Sequence, residues 1–347
     1  MVYVNGSPLC NPVRGIERYM REIVTRLDFL FSDKEIDITV LYPRGRLLFP
    51  PNLQKLHLKE MPSLDKKMFM FELLLNYWAK KGILCSFSNM VCLRKRTIVC
   101  IHDMRPWLFK YDRMRYRIIY SISVLTAKLF ANKIMTDSQT ALREIHLNAK
   151  IQLNRFQVVH CGWEHMSEII ADEAIFCKFP QIHKKNYYYS LSSQAPHKNF
   201  IWVLEVAKRN PYNIFVIAGD KWRHYDGTIT MKDNVIYLGY ITDGENKALL
   251  QSCKAFLHPS KYEGFGITPL EALACKAKIC ISNSSCLPEI FKDYAHYFDP
   301  DDFSVDLDKL LQEPLKSPDE LLREYTWEKA ARQWFTVICD AIDFTND

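Results

Sequence analysis

The stretch HPSKYEGFGITPLEALACK, residues 258–276, decides how this chain is read. It follows the apolar run KAFL, which reads as a buried strand, and it ends in TPLEALACK, which reads as a helix. Thr268 suits the cap of that helix and Pro269 its first position. Glu271 falls three residues after Thr268, which is the pattern of a capping box. Before the helix, Gly264 and Gly266 allow a tight turn and a close approach of backbone to a ligand. A helix start placed after a strand offers unpaired N–H groups and a positive dipole end to an anion. Strand, glycine turn and helix together describe a phosphate-binding corner of an α/β sheet. Two carboxylates, Glu263 and Glu271, bracket it, and spacing alone leaves open whether they act as a pair.

The same rhythm extends on both sides. NYYYSLSS, NIFVIAGD, NVIYLGY and KICISNS read as strands, with helices in NFIWVLEVAKR and DGENKALLQSC. In the first half MVYV, IDITVLYP, ILCSFS, TIVCIHD, KIMTDS and FQVVHCG read as strands. Helical stretches lie between them: GIERYMREIVTRLDFLF, KKMFMFELLLNYWAKK, DRMRYRIIYSISVLTAKLFA and SQTALREIHL. In the first helix Ile16, Met20, Ile23, Val24 and Leu27 share one face. Residues 161–185 are less regular and read as a crossover. The chain closes with TWEKAARQWFTVICDAID, whose apolar side carries Trp327, Ala331, Trp334, Phe335 and Ile338. Alternating β and α predicts parallel sheets covered by helices, with ligands outside the carboxyl ends of the strands.

The bulk numbers fit two domains, since 347 residues exceed one ordinary core. Hydrophobic residues make up 48% and charged residues 25%, which excludes a fibre or a disordered chain. Eleven cysteines are scattered singly, with no C-x-x-C and no zinc-like Cys/His spacing, so reduced, buried thiols in a reducing cytoplasm are expected. The start MVYVNGSPLC has no signal-peptide pattern. The longest apolar run, IIYSISVLTAKLF, is shorter than the roughly 18–20 residues of a membrane span and is broken by Lys128. Net charge is +6, but residues 1–160 hold 26 Lys+Arg against 13 Asp+Glu, and the remainder holds 20 against 27. A basic first half suits an anionic membrane face, a phosphorylated acceptor or nucleic acid. Residues 105–133 interleave Arg105, Lys110, Arg113, Arg115 and Arg117 with Trp107, Phe109, Tyr111 and Tyr116. This pattern suits a membrane interface, an RNA surface, or a core helix with a charged outer face.

YEGFGITPLEALA resembles the E-x7-E signature of the family 4 glycosyltransferases, retaining enzymes of the GT-B fold. Further motifs agree in order over nearly the whole chain: RGIERYMREI and IHD, then PHKNF, NVIYLGYITDGE, SSCLPEI, HYFDPDD and TWEKAA. The resemblance implies an α/β fold of two Rossmann-like, doubly wound parallel-sheet domains facing a cleft. Residues 1–165 would form the acceptor-side domain and residues 180–325 the donor-binding domain. The C-terminal helix, 326–347, would cross back to complete the first. The resemblance also assigns roles. Glu263 lies by the donor sugar and Glu271 bonds the ribose. The amides of Gly264, Phe265, Gly266, Ile267 and Thr268 hold sugar hydroxyls and diphosphate. Lys198 supplies the cation for the diphosphate, a task that suits a point charge. His102, at the carboxyl end of TIVCI, faces the donor sugar, and Gly15 approaches the phosphates or the acceptor. The segment around Tyr240 meets the base, while Arg14, Arg18 and Asp103 stand on the acceptor side. His102 and Asp103 are not expected to form a dyad, because neighbouring strand residues point to opposite faces.

Two departures stand out. Ser193 and His197 occupy positions near Lys198 where relatives carry an arginine, which leaves the diphosphate clamp with one strong cation. Lys276 replaces a common glycine, late in the helix, where only a surface change is expected. The expected activity is retaining transfer of a sugar from a GDP- or UDP-sugar to a hydroxyl of a glycan or lipid-linked oligosaccharide. The setting would be bacterial surface polysaccharide synthesis, O-antigen or capsule, in the cytoplasm and peripherally on the inner face of the cell membrane. An anionic membrane surface is a further expected partner, and nucleic acid is not. No metal or cofactor is expected, because no Asp-x-Asp pair is read at a strand end. The alternatives are another GT-B enzyme (glycan synthase, phosphorylase or nucleotide-sugar epimerase) or a non-catalytic binding protein. Intact Glu263, Gly264, Gly266, Glu271 and Lys198 argue against the last.

Overall fold

The structure, a computed structural model, describes residues 1–48, 50–62, 68–191, 193, 195–219 and 232–343. Lys66 and Lys67 of one expected helix, Ser192 and Asp220 at two expected strand ends, and residues 344–347 lie outside these. The chain separates into two compact units, residues 1–161 with 326–347, and residues 162–325.

The first unit is built on β1 (Val2–Asn5), β2 (Ile38–Pro43), β3 (His57–Met61), β4 (Ile83–Ser86), β5 (Thr97–Cys100), β6 (Ala131–Thr136) and β7 (Phe156–Val158). They form one parallel sheet in the order β3-β2-β1-β4-β5-β6-β7. In register, Val2 of β1 pairs with Ile38 on one side and Ile83 on the other. β4 and β5 are buried throughout, as strands covered on both faces must be, and so they read as continuous apolar runs. β3 was not expected from the sequence. HLKEM lies at the sheet edge and buries only Met61, so it carries no apolar alternation.

The Gly15–Leu30 helix buries Tyr19, Met20, Ile23, Val24 and Leu27. Ile16, expected on the same face, is 42% exposed because it stands in the first turn, before the helix reaches the core. The last helix, Trp327–Asp343, packs along this one. Trp334 Nε1 donates to Tyr19 Oη at 2.8 Å, and Phe335 meets Phe31 at 4.6 Å between ring centroids. Trp327, Ala331, Trp334 and Ile338 are buried, while Phe335 is half-buried at the margin. The end of the chain therefore supplies core to the unit formed by its beginning.

The second unit carries β8 (Tyr187–Leu191), β9 (Ile214–Ala218), β10 (Val235–Gly239), β11 (Ala255–His258), β12 (Ile279–Ser282) and β13 (His296–Phe298). Their order is β10-β9-β8-β11-β12-β13, again parallel. Strand order thus reverses between β8 and β11, as it does between β1 and β4 in the first unit. β13, three residues long, was also missed in the sequence. The stretch read as a crossover is not loose. It contains helices His165–Glu168 and Ala174–Lys178, and both are tied into the second unit. Lys247 Nζ donates to the carbonyls of Met166 and Ile169 at 2.6 Å each, and Lys178 pairs with Glu245 at 2.5 Å. Among the described residues no helix is long and apolar enough to cross a membrane.

Candidate functional site

The second sheet reverses its strand order between β8 and β11, and the chain segments leaving these two strands meet. After β8 the Pro196–Lys198 turn runs into Asn199, whose φ of 54° starts the Phe200–Arg209 helix. After β11 the loop carries Glu263 to Gly266. The two are stapled: Lys261 N and Ser260 Oγ both donate to the His197 carbonyl, at 2.7 and 3.2 Å. This places Lys198 Nζ 2.6 Å from Glu263 Oε1. His258 Nε2, from the end of β11, reaches the same oxygen at 2.9 Å. Oε2 carries no hydrogen bond among the described residues.

The charges follow from this packing. Burial alone would raise the Glu263 pKa, but Lys198 and the His258 hydrogen bond overcome it and hold the carboxyl well below its ordinary range. Burial pushes the His258 pKa down against the pull of Glu263, so its neutral ring donates through Nε2–H. Ser285, on the turn before the Leu287–Phe291 helix, fixes the backbone of Glu263. Its Oγ accepts from Glu263 N at 3.3 Å and donates to Glu263 O at 2.8 Å. Sequence reasoning missed His258. Its signal was the last position of a buried strand, five residues before a candidate carboxylate.

The expected capping box is corrected. The helix spans Ile267–Ala274 and its N-cap is Gly266, at φ 99°, with no side-chain cap. Thr268 and Pro269 are the second and third helical residues, and proline is tolerated in a first turn. A Cβ on Gly266 would lie 2.8 Å from Leu287 Cδ2, so the glycine is required for both backbone angle and space. Glu271 consequently has no capping duty. Its Oε1 lies 2.8 Å from His165 Nε2, a residue 106 positions away in the supposed crossover. The reciprocal capping box occurs elsewhere, between Thr242 and Glu245.

Lys276 is corrected too. It stands beyond the helix, at φ 63°. Ala277 N bonds Ala272 O and Lys276 N bonds Leu273 O, a Schellman ending with lysine at the left-handed position. That geometry explains why glycine is common there.

The remaining candidates fall apart into other settings. Tyr240 follows β10 and is 81% exposed. In the first unit Gly15 opens its helix at the surface, with Arg14 as N-cap and Arg18 N bonded to Arg14 O. Asp103 Oδ1 accepts from Arg105 N at 2.9 Å and starts the Arg105–Leu108 turn of helix.

His102 is buried and held at both ring nitrogens. Nε2 lies 2.9 Å from the Phe87 carbonyl and Nδ1 lies 2.8 Å from Asp137 Oδ2. A carbonyl only accepts, so Nε2 carries a proton, and a second proton on Nδ1 is directed at Asp137 Oδ2. Burial lowers the His102 pKa, yet Asp137 and Cys100 outweigh it and the ring stays protonated well above its usual range. This arrangement satisfies the imidazolium within its own unit and leaves it no lone pair with which to accept a proton.

Cys100, His102 and Asp137 also bring three potential metal ligands within 4.8 Å of one another, a grouping that the sequence spacing does not announce. The contacts are those of a hydrogen-bonded array. Burial raises the Cys100 pKa, and a thiol is a poor ligand. A second correction concerns carboxylates. Asp299 and Asp301 do form an Asp-x-Asp pair directly after β13, which went unread because that short strand did. Asp301 is paired with Lys261, and Asp299 Oδ1 accepts from Asp301 N at 2.9 Å.

Comparison with known proteins bears on these features. Residues 172–334 match the family described as "Glycosyl transferases group 1". The O-antigen chain mannosyltransferase RfbU of Salmonella typhimurium is 24% identical over 265 residues, 71% of this chain and 70% of RfbU. The O-antigen chain mannosyltransferase B of Escherichia coli is 34% identical over 239 residues, 63% of this chain and 61% of that protein. Among solved structures, sucrose-phosphate synthase of Thermosynechococcus elongatus superposes with a TM-score of 0.72 at 13% identity, covering 99% of both chains. The fold is GT-B, and with that match over residues 172–334 and its likeness to mannosyltransferases the chain is a glycosyltransferase.

Proposed function

We propose that the enzyme moves a hexosyl group, mannosyl by its likeness to the O-antigen enzymes, from a GDP- or UDP-sugar to a glycan or lipid-linked hydroxyl, with retention at the anomeric carbon. The observation that carries this reading is the triad of Lys198, Glu263 and His258 beside the glycine turn, where the second sheet reverses its strand order. As the donor bond breaks, negative charge grows on the departing diphosphate. Lys198 and the free N–H groups at the start of the Ile267–Ala274 helix are suited to meet it without a metal. Glu263, ionised and with Oε2 open, accepts hydroxyls of the sugar, and Glu271 accepts those of the ribose. His102 is given no proton-transfer role. We place the enzyme in surface polysaccharide synthesis, in the cytoplasm and against the inner face of the membrane through its basic half.

Purified enzyme incubated with GDP- and UDP-hexoses should release the nucleoside diphosphate in metal-free buffer, faster when a glycan acceptor is present. Product NMR should show the anomeric configuration of the donor. Failure to bind or cleave any nucleotide sugar would refute the reading.

A further inference from the structure

Glu271 stands one turn into the Ile267–Ala274 helix. Four residues of helical rise put it about 6 Å along the axis from Ile267. Ile267, Thr268, Glu271 and Ala274 are half-buried while the rest of the helix is buried, so Glu271 shares an open face with the helix start. Its two oxygens are not equivalent. Oε1 lies 2.8 Å from His165 Nε2, whereas Oε2 makes no hydrogen bond among the described residues. Side-chain exposure is 3% for His165 and 13% for Glu271. The histidine end of the contact is closed to water and the carboxylate end is open. A carboxylate oxygen accepts, so Nε2 carries the proton that joins them.

The segment that carries His165 is fastened without its ring. Lys247 Nζ donates to the carbonyls of Met166 and Ile169. Trp163 Nε1 donates to the Leu322 carbonyl at 2.8 Å, and Ile169 N bonds the His165 carbonyl at 3.3 Å. Glu271 is therefore not needed to hold this segment, nor does it cap its own helix. The constraint runs from the histidine to the glutamate. A glutamate side chain has several soft torsions, and gripping a ligand with it costs their freedom. Fixing Oε1 on a buried ring removes that freedom before any ligand arrives and leaves Oε2 to bind. Both residues belong to the second unit, so the device is complete within it.

We propose, resting on the transferase reading, that His165 is a positioning residue of the donor site. It holds Glu271 Oε1 so that Oε2 is presented to the ribose hydroxyls of the nucleotide. Preference for a ribonucleotide is then set in part by a side chain that acts only through Glu271.

The test uses the full chain and calorimetric titration with GDP and UDP, each compared with its 2′,3′-dideoxy analogue. The wild type should bind the ribo form about tenfold or more tightly than the dideoxy form, as charge-assisted hydrogen bonds require. His165→Asn, too short to reach Glu271, and His165→Leu should each weaken ribo binding about three- to tenfold. Dideoxy binding should stay as in the wild type. His165→Gln, whose amide N–H reaches the place of Nε2, should restore ribo binding. On a Glu271→Ala background, removing the histidine should change neither ligand further. If His165→Leu does not fold, His165→Asn decides. Equal losses on ribo and dideoxy forms, as a merely structural histidine would give, overturn the positioning role. So does unaltered ribo affinity, or a further loss on the Glu271→Ala background. A wild type that binds GDP or UDP but ignores the ribose hydroxyls removes the ribose role of Glu271, and this inference with it, while nucleotide binding stands. A wild type that binds neither GDP nor UDP overturns the donor reading itself.

Discussion

Lys198 and Glu263, 65 positions apart in the chain, close to 2.6 Å because the segments after β8 and β11 are stapled through the His197 carbonyl. The pair is largely buried, with side-chain exposures of 24% and 12%. Breaking such a pair leaves an uncompensated charge, and Lys198→Met should destabilise by about 2 kcal/mol, below the fully buried case because the lysine is partly wet. Lys198→Met/Glu263→Gln should recover most of that loss. The pH dependence has a definite sign. Glu263 has a depressed folded pKa, so its stabilisation is present above the ordinary carboxyl range and is lost as pH falls through the folded value. In Lys198→Met the acid-side loss should begin at higher pH. Urea denaturation from neutral to acid pH reads both effects, and a double variant no more stable than the single would contradict the pairing.

Glu271→Gln separates fold from ligand binding. The amide oxygen can still accept from His165 Nε2, so the melting temperature should stay near wild type. A ribose, by contrast, loses its charge-assisted partner, and donor affinity should fall about tenfold or more. Calorimetric titration with GDP or UDP measures this. Unaltered affinity would remove Glu271 from the proposed donor site.

Glu72 predicts a stability profile of opposite slope to that of Glu263. Burial raises its folded pKa from 4.5 to about 7. The unfolded chain ionises first, so stability is highest below the unfolded value, falls as pH rises from about 4.5 to about 7, and then levels. The span amounts to up to about 3 kcal/mol. Glu72→Gln should flatten it. A profile identical to wild type would show that the carboxyl is not buried as described.

Two backbone positions predict changes of opposite sign. Gly266→Ala should cost about 1–3 kcal/mol, because alanine resists φ 99° and its Cβ would press on Leu287. Lys276→Gly should gain about 0.5–1 kcal/mol by relieving a side chain at φ 63°. Denaturation midpoints of the two variants should move in opposite directions.

Much of this architecture was legible in the sequence, for a local reason. Buried parallel strands such as TIVC and AFLH are unbroken apolar runs, and strand, glycine turn and helix are contiguous around Gly266. Features that depend on distant partners were not. His165 sits in an irregular stretch, and only the fold brings it to Glu271. Asp137 was read as part of a strand end, and nothing near it announces His102. HLKEM is an edge strand whose polar residues face water, and HYF is only three residues long and buries a histidine, so neither period nor composition marks them. The capping box failed because Pro269 is acceptable at the third helical position as well as the first, and the local pattern does not choose between them.

The contact between Trp334 and Tyr19 also bears on biosynthesis. The first unit leaves the ribosome early, yet its own core is missing Trp327, Trp334 and Ile338 until residues 162–325 have been made. It must wait, with the buried face of its first helix uncovered, while residues 162–325 are synthesised. Chains cut short anywhere in the second unit should therefore strand both halves, exposing apolar surface that invites aggregation or chaperone capture. Quality control of both units is in this sense written into the Trp327–Asp343 helix.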